Sequence, residues 1–559
     1  MFHALQEELA KPRTTFQLCL LGIVAGACSA SLIILFRLGY ESIQLQMLDS
    51  VGDYASIPTW QRLLMPLGGA LLITLFAYLT GFKHYRLGIP FIIHRVKQHY
   101  GTVPIRTTLN QFFGGMFALA SGFSVGREGP SVHLGAAGSS FLGTWLHLPY
   151  NAVRILAGCG IAAGISASFN TPFAAVIFVM EVVLREYRIH IFIPVMLSAA
   201  CGSILTRMVF GNNHELDFLN AISLQGWVLI YLIPFGMILG AAATFFNAQL
   251  MRIIRSFRPM TMVGRLLLAG LITGIIGSLI PEAMGSGLSA INLVVDGQSD
   301  AGMLILVLIA KLLLTMVAIG LGIPGGIIGP VLGIGVLAGV LLLFPLQLFI
   351  PIDEDLTSSF ALLGMAAFMT SVLHGPLAAL SFVMELSYNT DVILPAMLVI
   401  VASFVTANQF LGNRSIFIRQ LDYQKLAYTT SPIRDALQKV GVMAIVDKEY
   451  KLFIEAPHEA ILEFLDAAPT HPVVQRSNYE IDIGYELVEY DVSLNPHAQH
   501  PLKFYPMQGV PTQATLAEVF EILQTNREGA VYVYRRQASQ IVGVITWYSV
   551  RQYLNSQQF

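Results

Sequence analysis

The chain has 559 residues, of which 55% are hydrophobic and only 12% are charged, and its mean hydropathy is +0.66. This composition is typical of a polytopic membrane protein and excludes a wholly soluble chain. The net charge of −2 gives no indication of a nucleic-acid or acidic partner.

Apolar runs along the chain predict the membrane-spanning helices. The charged N-terminal stretch leads into an apolar run without a small-residue cleavage pattern, which favours a retained first helix over a signal peptide. A run of about 20 apolar residues can span a bilayer. Five such runs lie at residues 16–36, 63–79, 191–209, 228–246 and 304–322. Shorter runs at 115–123, 155–164 and 176–183 are bounded by Gly, Pro or Asn and predict helices that end inside the membrane.

The composition changes after Leu421, where charged residues reach ordinary density and no spanning run follows. We therefore predict a membrane domain at 1–421 and a soluble domain at 422–559. Lys11 and Arg13 before the first helix, with Arg414 and Arg419 after the last, favour cytoplasmic termini. The expected location is the plasma (inner) membrane.

Two motifs each recur about 200 residues later in the chain. Residues 126–130 (GREGP) are matched 200 residues later by 326–330 (GIIGP), and 170–181 (NTPFAAVIFVME) by 374–385 (HGPLAALSFVME), 204 residues later. Matched Gly/Pro-interrupted segments are typical of transporter folds with a binding site between two repeats. We predict repeats at about 60–210 and 260–410. Whether they are inverted depends on the number of crossings between them.

Three glycine-containing motifs have the form of helix starts: 88–90 (GIP), 126–130 and 326–330. The start of a helix leaves backbone N–H groups unpaired and carries partial positive charge, so it can bind an anion. The alternative is tight helix packing through small residues. Three motifs, two of them related by the repeat, favour the anion site.

Glu128 stands at one of these helix starts. A carboxylate at membrane depth is costly and therefore a functional candidate. When ionised it can occupy the anion's position, and when protonated it can leave, which predicts a gate sensitive to pH and voltage. The alternative is a carboxylate that only caps its own helix. Lys311, alone in an apolar run, is expected to snorkel or pair structurally rather than contact the ion.

At these motifs the chain resembles the CLC family of chloride channels and chloride/proton antiporters, over roughly residues 16–421. The resemblance implies an all-α, inverted-repeat fold with broken helices, a homodimer in the lipid bilayer, no cofactor, and a site for chloride or a similar anion. It makes Glu128 the gating residue and turns the backbone amides of Ile327 and Ile328 toward the central ion. It also implies a set of anion-binding positions at the helix starts: Leu87, Gly88, Ile89, Gly126, Arg127, Gly129, Ile327, Ile328 and Ile416.

Three departures from the family pattern bear on function. Leu87 stands where the family has serine, and Ile416, or Phe417 with a one-residue slip, stands where it has tyrosine. Val182 follows Glu181 at the proton-pathway position, where coupled members carry a second glutamate. A valine cannot carry a proton. These changes predict weak discrimination among chloride, bromide and nitrate, and weak coupling to protons.

The soluble domain resembles a pair of CBS modules in a small α/β fold. A capping box at 515–518, a helical stripe after it and strands at 531–534 and 541–546 form the second module, and a degenerate first module covers about 432–489. Ser549 stands where nucleotide-binding modules often carry aspartate. We therefore do not favour adenine-nucleotide binding here.

Three functions remain open at this point. The favoured one is a CLC-type anion channel gated by Glu128 and uncoupled from protons, and the second is an anion/proton antiporter with another inner proton route. The third is an intramembrane hydrolase with Ser286 as nucleophile and His374 as base. This alternative needs a glycine where Met284 stands, and it leaves Glu128 and the repeated motifs unexplained.

Overall fold

The computed structural model describes residues 2–82, 87–211, 226, 228–295, 300–349, 356–387, 390–429, 431–454, 456–478, 483–491 and 502–556. The chain divides into two compact units. The membrane unit comprises Cys19–Leu142 and Arg154–Tyr428, and the tail unit comprises Met1–Leu18, Gly143–Val153 and Thr429–Phe559. The boundary predicted at Leu421 falls inside the last helix of the membrane unit.

Short helix α1 (Phe2–Ala10) precedes a series of helices that reaches residue 424. In chain order these are α2 (Phe16–Leu45), α3 (Thr59–Leu79), α4 (Gly88–Gln98), α5 (Ile105–Ala120), α6 (Glu128–Trp145), α7 (Tyr150–Phe169), α8 (Pro172–Phe178), α9 (Ile189–Phe210), α10 (Val228–Ser256), α11 (Met262–Leu279), α12 (Leu288–Val295), α13 (Ala301–Leu321), α14 (Ile328–Leu341), α15 (Leu343–Phe349), α16 (Thr357–Leu373), α17 (Pro376–Ser387), α18 (Ile393–Val405) and α19 (Ile416–Gln424).

Nine helices in the described part of the chain are long and apolar enough to cross a membrane. They include all five predicted runs, which are therefore confirmed. The prediction of a broken helix at 155–164 is wrong, because α7 is a full-length span that is 94% buried. Its glycines contact neighbouring helices and do not end it. The short run at 176–183 is confirmed as part of a short apolar helix, Pro172–Leu184.

The two repeats pack in the same way. In the first, α6 crosses α7 where Gly135 and Gly160 meet, and a methyl group on either would overlap the other's carbonyl oxygen. In the second, α14 crosses α16, where a methyl on Gly364 would overlap the Gly335 carbonyl oxygen. Small residues let helix backbones approach closely in a membrane. This close packing fixes the positions of α6 and α14, the two helices that begin at the repeated glycine motifs.

The tail unit holds a mixed α/β fold. Its elements after α19 are α20 (Pro432–Leu437), β1 (Lys451–Ile454), α21 (His458–Ala467), β2 (Val473–Asn478), β3 (Ile483–Tyr490), β4 (Leu502–Pro506), β5 (Gln508–Pro511), α22 (Leu516–Leu523), β6 (Ala530–Tyr534), β7 (Ile541–Thr546) and α23 (Trp547–Ser556). One sheet has the order β1-β2-β3-β4 and the other β5-β6-β7, each with one parallel pair. The predicted capping box and both predicted strands are confirmed.

The surface of the tail unit carries a small charge network at β4. Lys503 Nζ donates to Glu528 Oε2 at 2.9 Å, and this hydrogen bond holds the pKa of the Glu528 carboxyl below its usual range. Tyr505 Oη donates to the same carboxylate oxygen at 3.0 Å. Exposed pairs of this kind contribute little to stability.

Candidate anion site

The starts of α6 and α14 meet at a reciprocal pair of backbone hydrogen bonds. Gly126 N donates to Gly326 O at 2.7 Å, and Gly326 N donates to Gly126 O at 2.6 Å. The two residues occupy the same position in the two copies of the motif, and they pair antiparallel. When two segments are related by a two-fold axis, each makes the same contact with the other. The repeats are therefore inverted and share an axis at this pair.

The carboxylate of Glu128 lies over this junction. Glu128 is the first residue of α6 and is only 1% exposed. A methyl group at Gly126 or Gly326 would overlap its Oε2, and one at Gly329 would lie 2.7 Å from its Oε1. These positions must therefore be glycine while the carboxylate occupies this place. The carboxylate thus stands at the start of α14, where partial positive charge is available to an anion.

Two cavities border the start of α6. The Glu128 cavity, about 280 Å³, is bordered by Glu128 together with Arg37, Arg127 and Ser286. The Gly88 cavity, about 380 Å³, is bordered by the neighbouring Gly129. Glu128 borders one cavity and the next residue, Gly129, borders the other, so the start of α6 lies beside both.

Charge and backbone orientation in the Gly88 cavity suit an anion. Its lining includes the cationic side chains of Arg258, Arg265 and Lys425, and no Asp or Glu among the residues that the structure describes. Gly88 begins α4 with φ of +77°, a conformation that favours glycine. The predicted residues Leu87, Ile89 and Ile327 also border this cavity. Arg86, in the same stretch of sequence, lies outside the described residues.

The aromatic position near the end of the membrane unit is Phe417. Phe417 borders the Gly88 cavity, whereas Ile416 is fully buried and is not found among the described residues of its lining. The one-residue slip considered from the sequence therefore fits the geometry better than Ile416. Phe417 offers a ring edge in place of a hydroxyl group.

Arg127 is held beside Glu128 by aromatic side chains. Its guanidinium lies 4.6 Å from the centre of the Phe169 ring and donates to Tyr40 Oη at 3.3 Å. Both contacts are of the kind that arginine makes well. Arg127 therefore keeps a cation on the wall of the Glu128 cavity.

Glu181 takes part in a reciprocal contact between the repeats. Its two carboxylate oxygens accept from Leu377 N at 3.1 Å and Ala378 N at 2.7 Å, at the start of α17. Its repeat counterpart Glu385 accepts from Phe173 N at 3.1 Å and Ala174 N at 2.8 Å, at the start of α8. Each repeat thus caps a helix of the other. We call these contacts the paired caps.

The neighbouring proton-pathway position is apolar. Val182 is 6% exposed and lies in a π-helical turn, Val179–Leu184, that continues α8. Since the only adjacent carboxylate, Glu181, is bound to two amides, this turn places no carboxylate toward either cavity among the residues that the structure describes.

Lys311 pairs structurally, which is one of the two roles predicted for it, and does not snorkel. It is fully buried, and its Nζ donates to the carbonyl oxygens of Ala283 at 3.1 Å, Met284 at 3.2 Å and Gly285 at 2.6 Å. The ammonium group therefore fixes the loop before α12. This loop leads to Ser286, which borders the Glu128 cavity.

The geometry offers no support for the hydrolase. Ser286 and His374 are joined by no hydrogen bond among the described residues, and His374 packs against the Phe404 ring with centroids 5.2 Å apart. The sequence did not single out Gln111, whose side chain reaches the start of α4. The signal was available, because Gln111 lies 200 residues before Lys311, at the same position of the repeat.

Comparisons with known proteins agree with this geometry. The family model described as "Voltage gated chloride channel" matches residues 68–408. A protein of Ralstonia nicotianae named "Putative chloride channel protein ClcB-like" is 29% identical, covering 72% of this chain and 96% of that protein. The H(+)/Cl(-) exchange transporter ClcA of Yersinia pestis is 28% identical, covering 74% and 89% respectively.

Two solved structures are similar in fold. A slow cyanobacterial Cl−/H+ antiporter is 25% identical with a TM-score of 0.65, covering 73% of this chain and 97% of that one. A eukaryotic CLC transporter is 18% identical with a TM-score of 0.61 and covers 95% of this chain and 97% of that one, so the likeness in fold extends into the tail unit.

Proposed function

The chain belongs to the voltage gated chloride channel family, whose members are transporters and channels rather than enzymes, and we propose that its membrane unit is an anion channel gated by Glu128. The observation that carries this proposal is the position of the Glu128 carboxylate, which is buried at the start of α14 and borders the Glu128 cavity. An ionised carboxylate competes with an anion for the same helix start. Protonation removes the competing charge and opens the path.

The permeating ion is chloride or a similar small anion. Three cationic side chains line the Gly88 cavity, which raises the local anion concentration. The backbone amides at Ile327 and Ile328 begin α14 and hold the ion by charge. The positions at Leu87, Gly126, Arg127 and Gly129 shape this path.

We propose that anion movement is uncoupled from protons. Exchange needs a second group that carries a proton between Glu128 and the far side of the membrane. Val182 cannot do so, and the carboxylate of Glu181 is bound by Leu377 N and Ala378 N. Glu181 also borders neither cavity in the described part of the chain, so its carboxylate is not placed to carry a proton to Glu128.

The second candidate is anion/proton exchange with Glu181 or water as the inner proton carrier. The observation that favours it is the number of similar proteins named as exchangers, including the Yersinia pestis relative and the cyanobacterial antiporter. Both candidates use Glu128 in the same place.

One experiment separates the two candidates. The purified full-length chain is reconstituted in liposomes loaded with chloride, and chloride efflux and external pH are recorded together. Uncoupled conduction predicts chloride efflux with no proton uptake beyond that of protein-free liposomes. Proton uptake in a fixed ratio to chloride efflux, and proton movement against its gradient, would replace the channel with the exchanger. Absence of any chloride efflux would contradict both.

We further propose that the chain is a homodimer with cytoplasmic termini and that the tail unit is a CBS-like regulatory domain. Support for the tail comes from its helix–strand–strand–helix order at residues 516–556. Ser549 Oγ lies 3.0 Å from Thr546 Oγ1, so the position where a ribose-binding aspartate would stand holds a local hydroxyl pair. We therefore expect the tail to act without adenine nucleotide.

A further inference from the structure

Gln111 reaches the start of α4 from the middle of α5. The side chain is fully buried, and its Oε1 accepts from Gly88 N at 3.1 Å. A backbone N–H can only donate, so the atom that faces Gly88 is the oxygen of the carboxamide. The NH₂ end of the same group must therefore point elsewhere.

Gln111 Nε2 has no hydrogen-bond partner among the described residues, although it is buried. Buried polar groups are nearly always paired, so an unpaired donor in a native interior calls for a missing acceptor. Gln111 also borders the Gly88 cavity, together with Gly129 and Ile327. The partner of an N–H donor has to be an acceptor, and the cationic lining of this cavity favours an anion in that role.

The repeat counterpart of Gln111 finds all of its hydrogen-bond acceptors within the protein. Lys311, 200 residues later, donates hydrogen bonds from its Nζ to three carbonyl oxygens just before α12. Helix α12 begins at Leu288, 200 residues after Gly88. Both side chains therefore form hydrogen bonds with backbone atoms at a helix start, or just before one, in their own repeat. Of these two counterparts, Gln111 is the one with a donor that lacks a partner among the described residues and lies beside a cavity.

We propose that Gln111 Nε2 donates a hydrogen bond to the permeating anion at the start of α4. This assignment rests on the proposed function and adds to it a side-chain donor, close to Leu87 where the family resemblance leads us to expect a serine hydroxyl. Gln111 is then a specificity-determining residue. The wild-type chain discriminates among anions more than the losses at Leu87 and Ile416 predict.

Two substitutions separate an anion donor from a simple helix cap. Gln111→Glu keeps an oxygen for Gly88 N but removes the donor, whereas Gln111→Met removes both without adding charge. The matched control is Gln424→Glu, since Gln424 borders the same cavity and is partly exposed. This control measures the effect of a new negative charge in the cavity alone.

Chloride and nitrate binding to the purified full-length variants is measured by isothermal titration calorimetry, with thermal unfolding recorded in parallel. A hydrogen bond to a charged partner predicts about tenfold weaker chloride binding in Gln111→Met, with the chloride preference over nitrate reduced. Gln111→Glu weakens binding further, and much more than Gln424→Glu does.

The opposite outcomes are equally clear. Wild-type chloride affinity in a folded Gln111→Met variant would show that Gln111 is only a cap. If that variant does not fold, the same conclusion follows from a Gln111→Glu variant that loses no more affinity than Gln424→Glu. If the wild-type chain itself neither binds nor conducts chloride, the proposed function fails, which is distinct from the failure of Gln111 alone.

Discussion

The first and second repeats of the membrane unit share their main packing contacts but differ in the side chains at and near two of the helix starts. The reciprocal Gly126–Gly326 pair, the paired caps and the glycine crossings of α6 with α7 and α14 with α16 are present in both copies. At the starts of α6 and α14, however, Glu128 is matched by Ile328. Near the starts of α4 and α12, Gln111 is matched by Lys311. The contacts that join the two repeats are therefore symmetric, whereas the side chains proposed to act on the anion are not.

The largest effect is expected from a substitution of Glu128, where the two repeats differ. Glu128→Gln removes the competing charge and keeps the shape, so chloride flux persists while the ratio of flux at acidic to neutral pH falls to about one. Voltage dependence also weakens, because a full charge crossing the field contributes about 2.3 kcal/mol per 100 mV and the gate moves a fraction of it. Flux from liposomes at several pH values and voltages is the measurement.

The control for the gate is the conservative change at its counterpart. Ile328→Leu should keep the wild-type pH dependence of flux. A folded Glu128→Gln protein without flux would show that the carboxylate is a required ligand, and the gate would have to be abandoned.

The second effect concerns the buried lysine of the second repeat. Lys311→Met leaves the carbonyl oxygens of Ala283, Met284 and Gly285 without their donor, which we expect to lower the free energy of unfolding by about 3 kcal/mol. Unfolding by SDS in mixed micelles measures the difference. Gln111→Met, which leaves only Gly88 N unpaired, should cost less. Equal losses at the two positions would mean that Lys311 has no special structural role.

The glycine crossings should respond alike in the two repeats. Gly160→Ala and Gly364→Ala each force a methyl group onto a facing carbonyl oxygen, and each should destabilise the protein by about 2 kcal/mol. Gly68→Ala is the matched control, because no atom lies within 4 Å of a methyl group there. The amount of monodisperse protein and its unfolding in SDS report the effect. Tolerance of only one of the two substitutions would refute equal packing.

The smallest effect tests the paired caps. Glu181→Gln and Glu385→Gln each turn one accepting oxygen into a donor that faces an amide, and each should destabilise by about 1.5 kcal/mol, with equal values for the two. Unfolding measures this, and the liposome assay adds a second readout. Under the channel proposal, Glu181→Gln leaves the absence of proton movement unchanged. Loss of proton movement in this variant, where the wild type shows it, would identify Glu181 as the proton carrier.

Much of this arrangement could be predicted from the sequence because the repeats are visible in it. The matched motifs at 126–130 and 326–330 predict the convergent helix starts, and the apolar runs predict five of the spans. The span Tyr150–Phe169 was misread, because glycines that mediate helix contact look the same in sequence as glycines that end a helix.

The contacts of single side chains were harder to predict. Lys311 could not be placed from its apolar neighbours, since its three acceptors lie in a loop 26 to 28 residues away. The position of Phe417 at the cavity, one residue from the expected Ile416, depends on the start of α19 at Ile416. The sequence marks Gln111 only as the repeat counterpart of Lys311, and its nitrogen without a partner among the described residues, beside the cavity, is visible only in the structure.

The paired caps have a consequence for biosynthesis. The amide of Ala174 receives its carboxylate from Glu385, which lies 211 residues later in the chain. At about 5 to 20 residues per second, the ribosome takes on the order of 10 to 40 seconds to make that distance. During this interval the start of α8 cannot rest in hydrocarbon with its amides unpaired, because each such group costs several kcal/mol there. The start of α8 must therefore stay in contact with water or with the insertion machinery until the second repeat has been synthesised.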